Sequence, residues 1–333
     1  MYFSLDCSRF RTTISLPSGV DLSKKLVSVI IPAYNEEGCL QELANRLIAV
    51  FGTEPKYDFE VVIVENGSTD SSWEILKRVC DTYRNIKGVR LSRNFRMDGG
   101  LTAGLEFIKG DACILMTADL QDPPELIPLF LRKWEEGWEN VYGVITRRKG
   151  TGLIRTMNSK IFYKVAFKLT SGKIPKNASD FRLVDRKVYE TVKTMKERNR
   201  FVRGLYGWVG FKSVGINMER PPRFAGKSNA HTFVVLDLAF KGIFANSYKP
   251  LRLITVVGFT VSAISFFSIP VLALLWIIKG VPFAGFGTLI ALVLLLFGLL
   301  SLMLGVISEY IGLVYEEVKE RPNFIVSEVY ENK

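Results

Sequence analysis

The sequence predicts an α/β fold, a doubly wound and mostly parallel sheet, followed by a C-terminal hairpin of two membrane-spanning helices. Three observations carry this. Short apolar runs alternate with helical patterns through the first half of the chain, and polar turn-forming clusters follow those runs. Between Leu253 and Ser308 the only ionisable side chain is Lys279. A chain of 333 residues has room for one large domain or two ordinary ones.

The runs Val27–Ile31, Phe59–Val64, Val89–Leu91 and Ala112–Met116 have the length and composition of buried parallel strands. Between them Glu36–Val50, Ser71–Arg84 and Gly99–Ile108 repeat apolar residues at helical spacing, which gives a β-α-β-α-β order. Sheets of this kind bind ligands beyond the carboxyl ends of their strands. The segments that follow the first, second and fourth runs are Pro32-Ala33-Tyr34-Asn35-Glu36-Glu37, Glu65-Asn66-Gly67-Ser68-Thr69-Asp70, and Thr117 through Asp119, Gln121 and Asp122 to Glu125. Any one of them alone reads equally well as a capped strand-to-helix turn. Three of them converge on one crevice, and the last supplies two carboxylates and an amide oxygen within four residues, Asp119 to Asp122, a ligand set for Mg²⁺ or Mn²⁺ carried by substrate phosphates. A divalent cation with a diphosphate suits nucleotide-sugar chemistry, because the cation offsets charge on the departing nucleoside diphosphate.

The two uncharged stretches, Leu253–Ile278 and Gly280–Ser308, are 26 and 29 residues long, and each exceeds the roughly 20 needed to cross a hydrocarbon core. Pro270 is tolerable inside such a span. Lys241, Lys249 and Arg252 before the first span outnumber Lys279 in the short turn, which places the head in the cytoplasm. The segment MYFSLDCSRFRTT lacks the apolar core of a signal peptide, which agrees. The expected division is a cytoplasmic head (1–229), an interfacial helix (230–252), spans at 253–278 and 281–308, and a cytoplasmic amphipathic tail (309–333). Phe233, Leu236, Phe240 and Phe244, and then Ile311, Val314, Tyr315 and Val318, give the flanking stripes; packing against the head explains them equally well. Arg321-Pro322 ends the second stripe. A buried helical pair in a soluble protein is the alternative to the spans. Small residues at Ala284-Gly285 and Gly298 suit self-association, so a homo-oligomer is expected, with a tetramer open.

The formal net charge is +11. Removing −3 for the tail (six acids, three bases) and +1 for Lys279 leaves +13 on residues 1–252. Such a head suits an anionic membrane face and anionic substrates. Nucleic acid is not expected as a partner, since no recognition motif with stacking aromatics accompanies the charge. Cys7, Cys39, Cys80 and Cys113 have no metal-binding spacing and read as thiols in a reducing compartment. One histidine, His231, excludes a histidine-cluster metal site and argues against a histidine-based triad.

The stretches VSVIIPAYNEE, EVVIVENGSTD, LSRNF and MTADLQDPPE resemble the family 2 glycosyltransferases, which have the GT-A fold. The likeness is strongest to polyprenyl-phosphate glycosyltransferases, relatives of dolichol-phosphate mannose synthase that include the bacterial bactoprenol glucosyltransferases. It extends over SDFRLVDR, RFVRGLYGW, PRFAGKSN and EYIGLVYEEVKERP. The resemblance implies that Pro32, Tyr34 and Glu36 hold the nucleobase, Glu65 the base or ribose, and that Asp119 and Gln121 ligate the metal. It further implies that Arg200, Arg223 and Lys227 help neutralise the diphosphate. Two positions depart from the family pattern: it often has an acidic pair where Glu65-Asn66 stand, and Asp where Thr117 stands. Thr117 leaves the metal one carboxylate fewer.

Arg147 and Arg148 follow an expected strand Val141–Thr146, and Arg155 and Ser159 stand at i and i+4 of an expected helix Leu153–Leu169. Guanidinium pairs and a hydroxyl are ligands for a lipid phosphate. A solvated or membrane-facing charge run is an equal reading of these residues alone; the family favours an acceptor-phosphate site, since an Arg followed four residues later by Ser recurs there. Asp180 is the candidate general base, with orientation of the donor sugar or the arginines, or a purely structural role, left open. The function expected is inverting transfer of a hexose, glucose from UDP-glucose by the bactoprenol likeness, to a polyprenyl phosphate at the bacterial inner membrane. A processive polysaccharide synthase and a silent nucleotide-binding scaffold are the alternatives; the first lacks its QxxRW motif here, and Thr117 alone favours the second.

Overall fold

The computed structural model describes residues 24–148, 178–198, 200–225, 249–279 and 285–332. Four parallel strands form the centre: β1 (Lys25–Ala33), β2 (Tyr57–Glu65), β3 (Ile86–Leu91) and β4 (Ala112–Leu115). β1 lies between β2 and β4, so the strand order turns at β1 and a gap opens beyond its carboxyl end. β5 (Asn140–Arg148), β6 (Ala178–Asp185), β7 (Ser213–Arg220) and β8 (Val326–Tyr330) complete the order β7-β5-β6-β4-β1-β2-β3-β8.

The sheet is mixed, which modifies the mostly parallel expectation. β6 is antiparallel to both β4 and β5, and β8 is antiparallel to β3. In the β6 sequence ASDFRLVD, Phe181 and Leu183 enter one core cluster and Val184 the other, while Asp180 and Arg182 stand between them as polar residues.

Helices cover both faces. Val27, Val29 and Ile31 of β1 pack with α1 (Leu40–Gly52), α2 (Ser72–Thr82) and α4 (Ile127–Glu135). Ile30 points the other way, to α3 (Arg96–Leu105), α5 (Arg186–Thr194) and α6 (Val202–Trp208). α3 approaches β1 closely because its inner face is Gly100, Ala103 and Gly104. A Cβ on Gly100 would stand 2.9 Å from Pro32 Cβ, and one on Gly104 would run into the Ile30 side chain.

Two long helices follow, α7 (Lys249–Lys279) and α8 (Phe286–Val318). Most of their described apolar side chains are exposed, Phe259, Phe267 and Ile277 to 74%, 70% and 83%, while Ile254 near the start of α7 is buried. Leu295–Val318 is long and apolar enough to cross a membrane, with mean hydropathy 1.9, and it alone passes that test among the described residues. α8 runs ten residues past Ser308 to Val318, since no helix breaker stands before Arg321-Pro322. The tail then does something the sequence reading did not anticipate. Val326, Val329 and Tyr330 form β8, which adds to the sheet edge beside β3. The expected interfacial helix before Lys249 and the helix Leu153–Leu169 lie outside the described residues.

The close approach of α3 to β1 yields a stability prediction. Gly104→Ala should destabilise the purified full-length chain by about 1–3 kcal/mol, read as a lower melting temperature. Gly52→Ala, with nothing within 4 Å of its new methyl, should leave melting unchanged or slightly raised.

Candidate active site

The first two strand-end loops are laced together. Asn35 N–H donates to Ser68 Oγ (3.0 Å), Thr69 N–H to Asn35 Oδ1 (2.9 Å) and Glu36 N–H to Ser72 Oγ (3.0 Å). Glu37 N–H donates to Asp70 Oδ2 (3.2 Å). The Gly67–Ser72 turn thus builds the β1 loop. Gly67 itself has φ +68° and lies against the Arg93 backbone, where a side chain would clash.

A crevice of about 260 Å³ opens at the turn of the strand order, lined among others by Pro32, Tyr34, Glu36, Thr117, Asp119 and Arg223. Five of these were expected nucleotide or metal residues, and the fold brings them together. Glu36 is 8% exposed and Asp119 5%. Arg223 bridges them, with Nη1 3.0 Å from Glu36 Oε1 and Nη2 3.1 Å from Asp119 Oδ2. Burial pushes the Glu36 carboxyl above its ordinary value, and Arg223 pulls against that shift. The segment carrying Arg223 is held over the crevice: Phe224 N–H points to Asp119 O (3.4 Å) and Gln121 Nε2 donates to Pro221 O (3.3 Å).

Thr117 has a visible task. Its Oγ is 2.8 Å from Asp119 Oδ1 and 2.8 Å from Asp122 Oδ2, and its N–H donates to Asp122 Oδ2 at 3.1 Å. Asp122 is fully buried, which raises its carboxyl, with Arg220 3.7 Å away opposing the shift. An aspartate at 117 would set a third carboxylate between these two; the hydroxyl donates instead. Asn66, also in the crevice wall, explains the second departure. It accepts from Phe95 N–H (2.9 Å) and donates to Arg96 O (2.7 Å), and a carboxylate has no hydrogen for the second bond.

Among the described residues no group of three or more His, Cys, Asp or Glu has metal-holding geometry. The carboxylates still fit a cation shared with a phosphate ligand. Glu36 Oε2 is buried without a hydrogen-bond partner, and Asp119 Oδ2 already faces a positive charge.

The remaining expected residues are distributed differently. Glu65 is fully buried: it accepts from Ser68 N–H and pairs with Arg90 Nε at 3.1 Å, directly opposite in the β2–β3 register. Arg200 donates to Val192 O at the end of α5 and is not part of the crevice wall. Asp180, on β6, is held by both arms of Arg203, with Nε at 2.7 Å. Burial alone would raise its carboxyl, but Arg203, Arg182 and Arg220 outweigh that and hold it below the ordinary value. Arg147 and Arg148 end β5, level with Glu219 and Arg220 of β7. Arg155, Ser159 and Lys227 lie outside the described residues.

Arg96, Asp98 and Arg203 were missed by sequence reading. Arg96 lines the crevice with φ +63°. Asp98, on α3, accepts from Val202 N–H at the start of α6 (3.0 Å). Burial pushes its carboxyl to about 6, with the Val202 N–H opposing and the Asp180 charge adding. Because the folded chain holds this proton more tightly than the unfolded one, the associated stability is present at acid pH and lost as pH rises through about 6. Asp98→Asn, which keeps an acceptor without the charge, should therefore raise the melting temperature at pH 7.5, with the gain shrinking at pH 5.

Comparison with known proteins gives a consistent answer. The model of "Glycosyl transferase family 2" matches residues 28–193. An uncharacterised glycosyltransferase of Synechocystis sp. is 41% identical over 307 residues, 91% of this chain and 95% of that protein. The prophage bactoprenol glucosyl transferase homolog of Escherichia coli is 33% identical, covering 91% of this chain and 99% of that protein. The bactoprenol glucosyl transferase of Shigella phage SfII is also 33% identical, over 90% and 97%. Among solved structures, glucosyl-3-phosphoglycerate synthase from Mycobacterium tuberculosis aligns with 66% of this chain and 78% of its own, at 15% identity and a TM-score of 0.46, too loose a likeness to inform the site. With the family's strand-end motifs converging on one crevice and relatives aligned nearly end to end, the chain belongs to glycosyl transferase family 2 and is a glycosyltransferase.

Proposed function

We propose that the protein transfers a hexose, glucose from UDP-glucose, to a polyprenyl phosphate at the cytoplasmic face of a bacterial plasma membrane, with inversion at the anomeric carbon. The observation that carries the lipid acceptor is the return of the chain to its own head. It leaves through α7, comes back through α8, and adds β8 to the sheet that holds the crevice. A head and a tail joined in one sheet lie on one side of any membrane, so a crossing by α8 would be matched by one through α7. Leu251 beside Tyr310, and Gly258 beside Met303, give the two helices opposite directions, as a hairpin requires. Their exposed apolar side chains suit lipid. Full-length similarity to bactoprenol glucosyl transferases supports the same acceptor class.

The chemistry follows from the acceptor. A phosphate monoester has its second pKa near about 6, so at neutral pH it is already largely a dianion. One of its oxygens forms the new bond to the anomeric carbon as the bond from that carbon to the UDP oxygen breaks, and UDP carries away the electron pair. No general base is needed. This suits Asp180, whose oxygens are engaged by Arg203 and whose proton affinity is low; we assign it to orienting rather than deprotonating. Pro32, Tyr34 and Glu36 would hold the nucleobase. Asp119 and Gln121 would hold Mg²⁺ or Mn²⁺, which when bound offsets charge on the departing diphosphate. Arg223 would turn from the carboxylates to the diphosphate, and Arg147, Arg148, Arg155 and Ser159 would receive the lipid phosphate.

The test is transfer of radiolabel from UDP-glucose by the purified full-length chain with Mg²⁺ and a short polyprenyl phosphate. Label should enter a chloroform-soluble product labile to mild acid. Water-soluble polymer, or UDP binding without transfer, would refute the reading. Asp119→Asn should lower kcat by about 100-fold or more, as loss of a charge-stabilising group does. Thr117→Ala, which frees the two carboxylates it organises, should weaken UDP–Mn²⁺ binding while leaving the chain folded.

A further inference from the structure

The end of α8 and the residues after it touch the head at several places, among them the connection between α5 and α6. Residues 195–198 of this connection belong to no helix or strand. Glu317, in the last turn of α8, accepts from Arg198 N–H through Oε2 at 2.9 Å. Asn323 donates through Nδ2 to Glu197 O at 3.0 Å. The Asn323 carbonyl oxygen also packs on α3, 3.1 Å from where a Cβ on Gly99 would stand. Ser92 N–H donates to Ile325 O (2.9 Å), and Phe324 and Val326 pack on the cluster that contains Val202, Leu205 and Tyr206.

Four or five residues further along, the chain meets two buried carboxylates, Asp98 and Asp180. Asp98 takes Val202 N–H, and Arg203 holds Asp180 with two hydrogen bonds. α6 has seven residues, fewer than an isolated helix needs to persist. Its place is therefore set by what grips its two ends and its buried face. The donor-side residues Glu36 and Asp119 follow β1 and β4 at the sheet centre and share none of these grips.

We propose that Glu317 and Asn323 are positioning residues. By holding the backbone at 197–198 they fix the start of α6, and with it the Arg203–Asp180 pair. The membrane anchor's exit then sets the geometry on the acceptor side of the site while leaving donor binding alone. The idea rests on the lipid-phosphate transfer reading for its kinetic test, and on the contacts alone for its structural one.

Full-length Glu317→Ala and Asn323→Ala, in detergent micelles, provide the test, with melting and UDP binding confirming that each is folded. Each should lower kcat about ten-fold or more while the KM for UDP-glucose and the affinity for UDP stay within about two-fold, since misplacing a positioned group costs turnover rather than ground-state binding. Hydrogen exchange in the peptide spanning 197–203 should quicken. Glu317→Gln, which retains the acceptor oxygen, should restore most of kcat and of the protection. Unchanged exchange at 197–203 in Glu317→Ala would overturn the proposal, as would quickened exchange with normal kcat. Wild-type protein that makes no lipid-linked sugar would refute the transfer reading instead, and the exchange measurement would still decide the positioning. Should Asn323→Ala fail to fold, the Glu317 pair of variants decides alone.

Discussion

Two carboxylates, Glu36 and Asp119, face a common gap and are more than nine-tenths buried. Like charges taken out of water at close range repel strongly, so such a pair persists only with a cation beside it. Arg223 supplies that cation here, touching both. The consequence is architectural as well as electrostatic. Arg223 follows β7, the outer strand of the sheet, so the ion bridge ties that edge to the loops at the ends of β1 and β4. The neighbouring Asp122 meets the same constraint with a hydroxyl and a more distant guanidinium, from Thr117 and Arg220. A site with this balance is suited to exchanging one cation for another when an anionic ligand arrives.

The sheet order explains why the gap lies where it does. β1 pairs forward with β2 and sideways with β4, and the loops leaving β1 and β4 diverge. On one flank the β2 loop is spent on shaping the β1 loop. On the other, β6 brings Asp180 and Arg182 beside β4 in antiparallel register. The C-terminal strand β8 closes the opposite edge and carries the exit of α8 into contact with α3 and the start of α6. Among the described residues, the segment after α8 thus joins the helices to the head through the β3 edge and through the α5–α6 connection.

Much of this was legible in the residues. The four central strands fell where continuous apolar runs stand, because a strand buried on both faces has no room for polar alternation. That the segments carrying Pro32, Tyr34, Glu36 and Asp119 line one crevice followed from those strand ends, while their expected roles came from the family resemblance. The Glu65–Arg90 ion pair was not read from the sequence, though its signal was present: Arg90 lies inside the neighbouring apolar run, and a charge there needs a cross-strand partner. Arg200 and Arg203 sit in one motif, and only the start of α6 at Val202 decides that Arg203 turns to Asp180. β8 was hidden for another reason. Five residues with two exposed polar positions carry little pattern, and what makes them a strand is an open sheet edge more than 200 residues away in sequence.

On the proposed function, Asp119 and Gln121 would hold a divalent cation together with a nucleoside diphosphate in this crevice. Anomalous diffraction from crystals of the full-length chain grown with Mn²⁺ and UDP measures this most directly. The expected result is one manganese peak within coordination distance of Asp119, beside bound UDP, with the Arg223 guanidinium withdrawn from Asp119. A diphosphate bound elsewhere, or bound in this gap with no manganese and the Arg223 bridge intact, would contradict it.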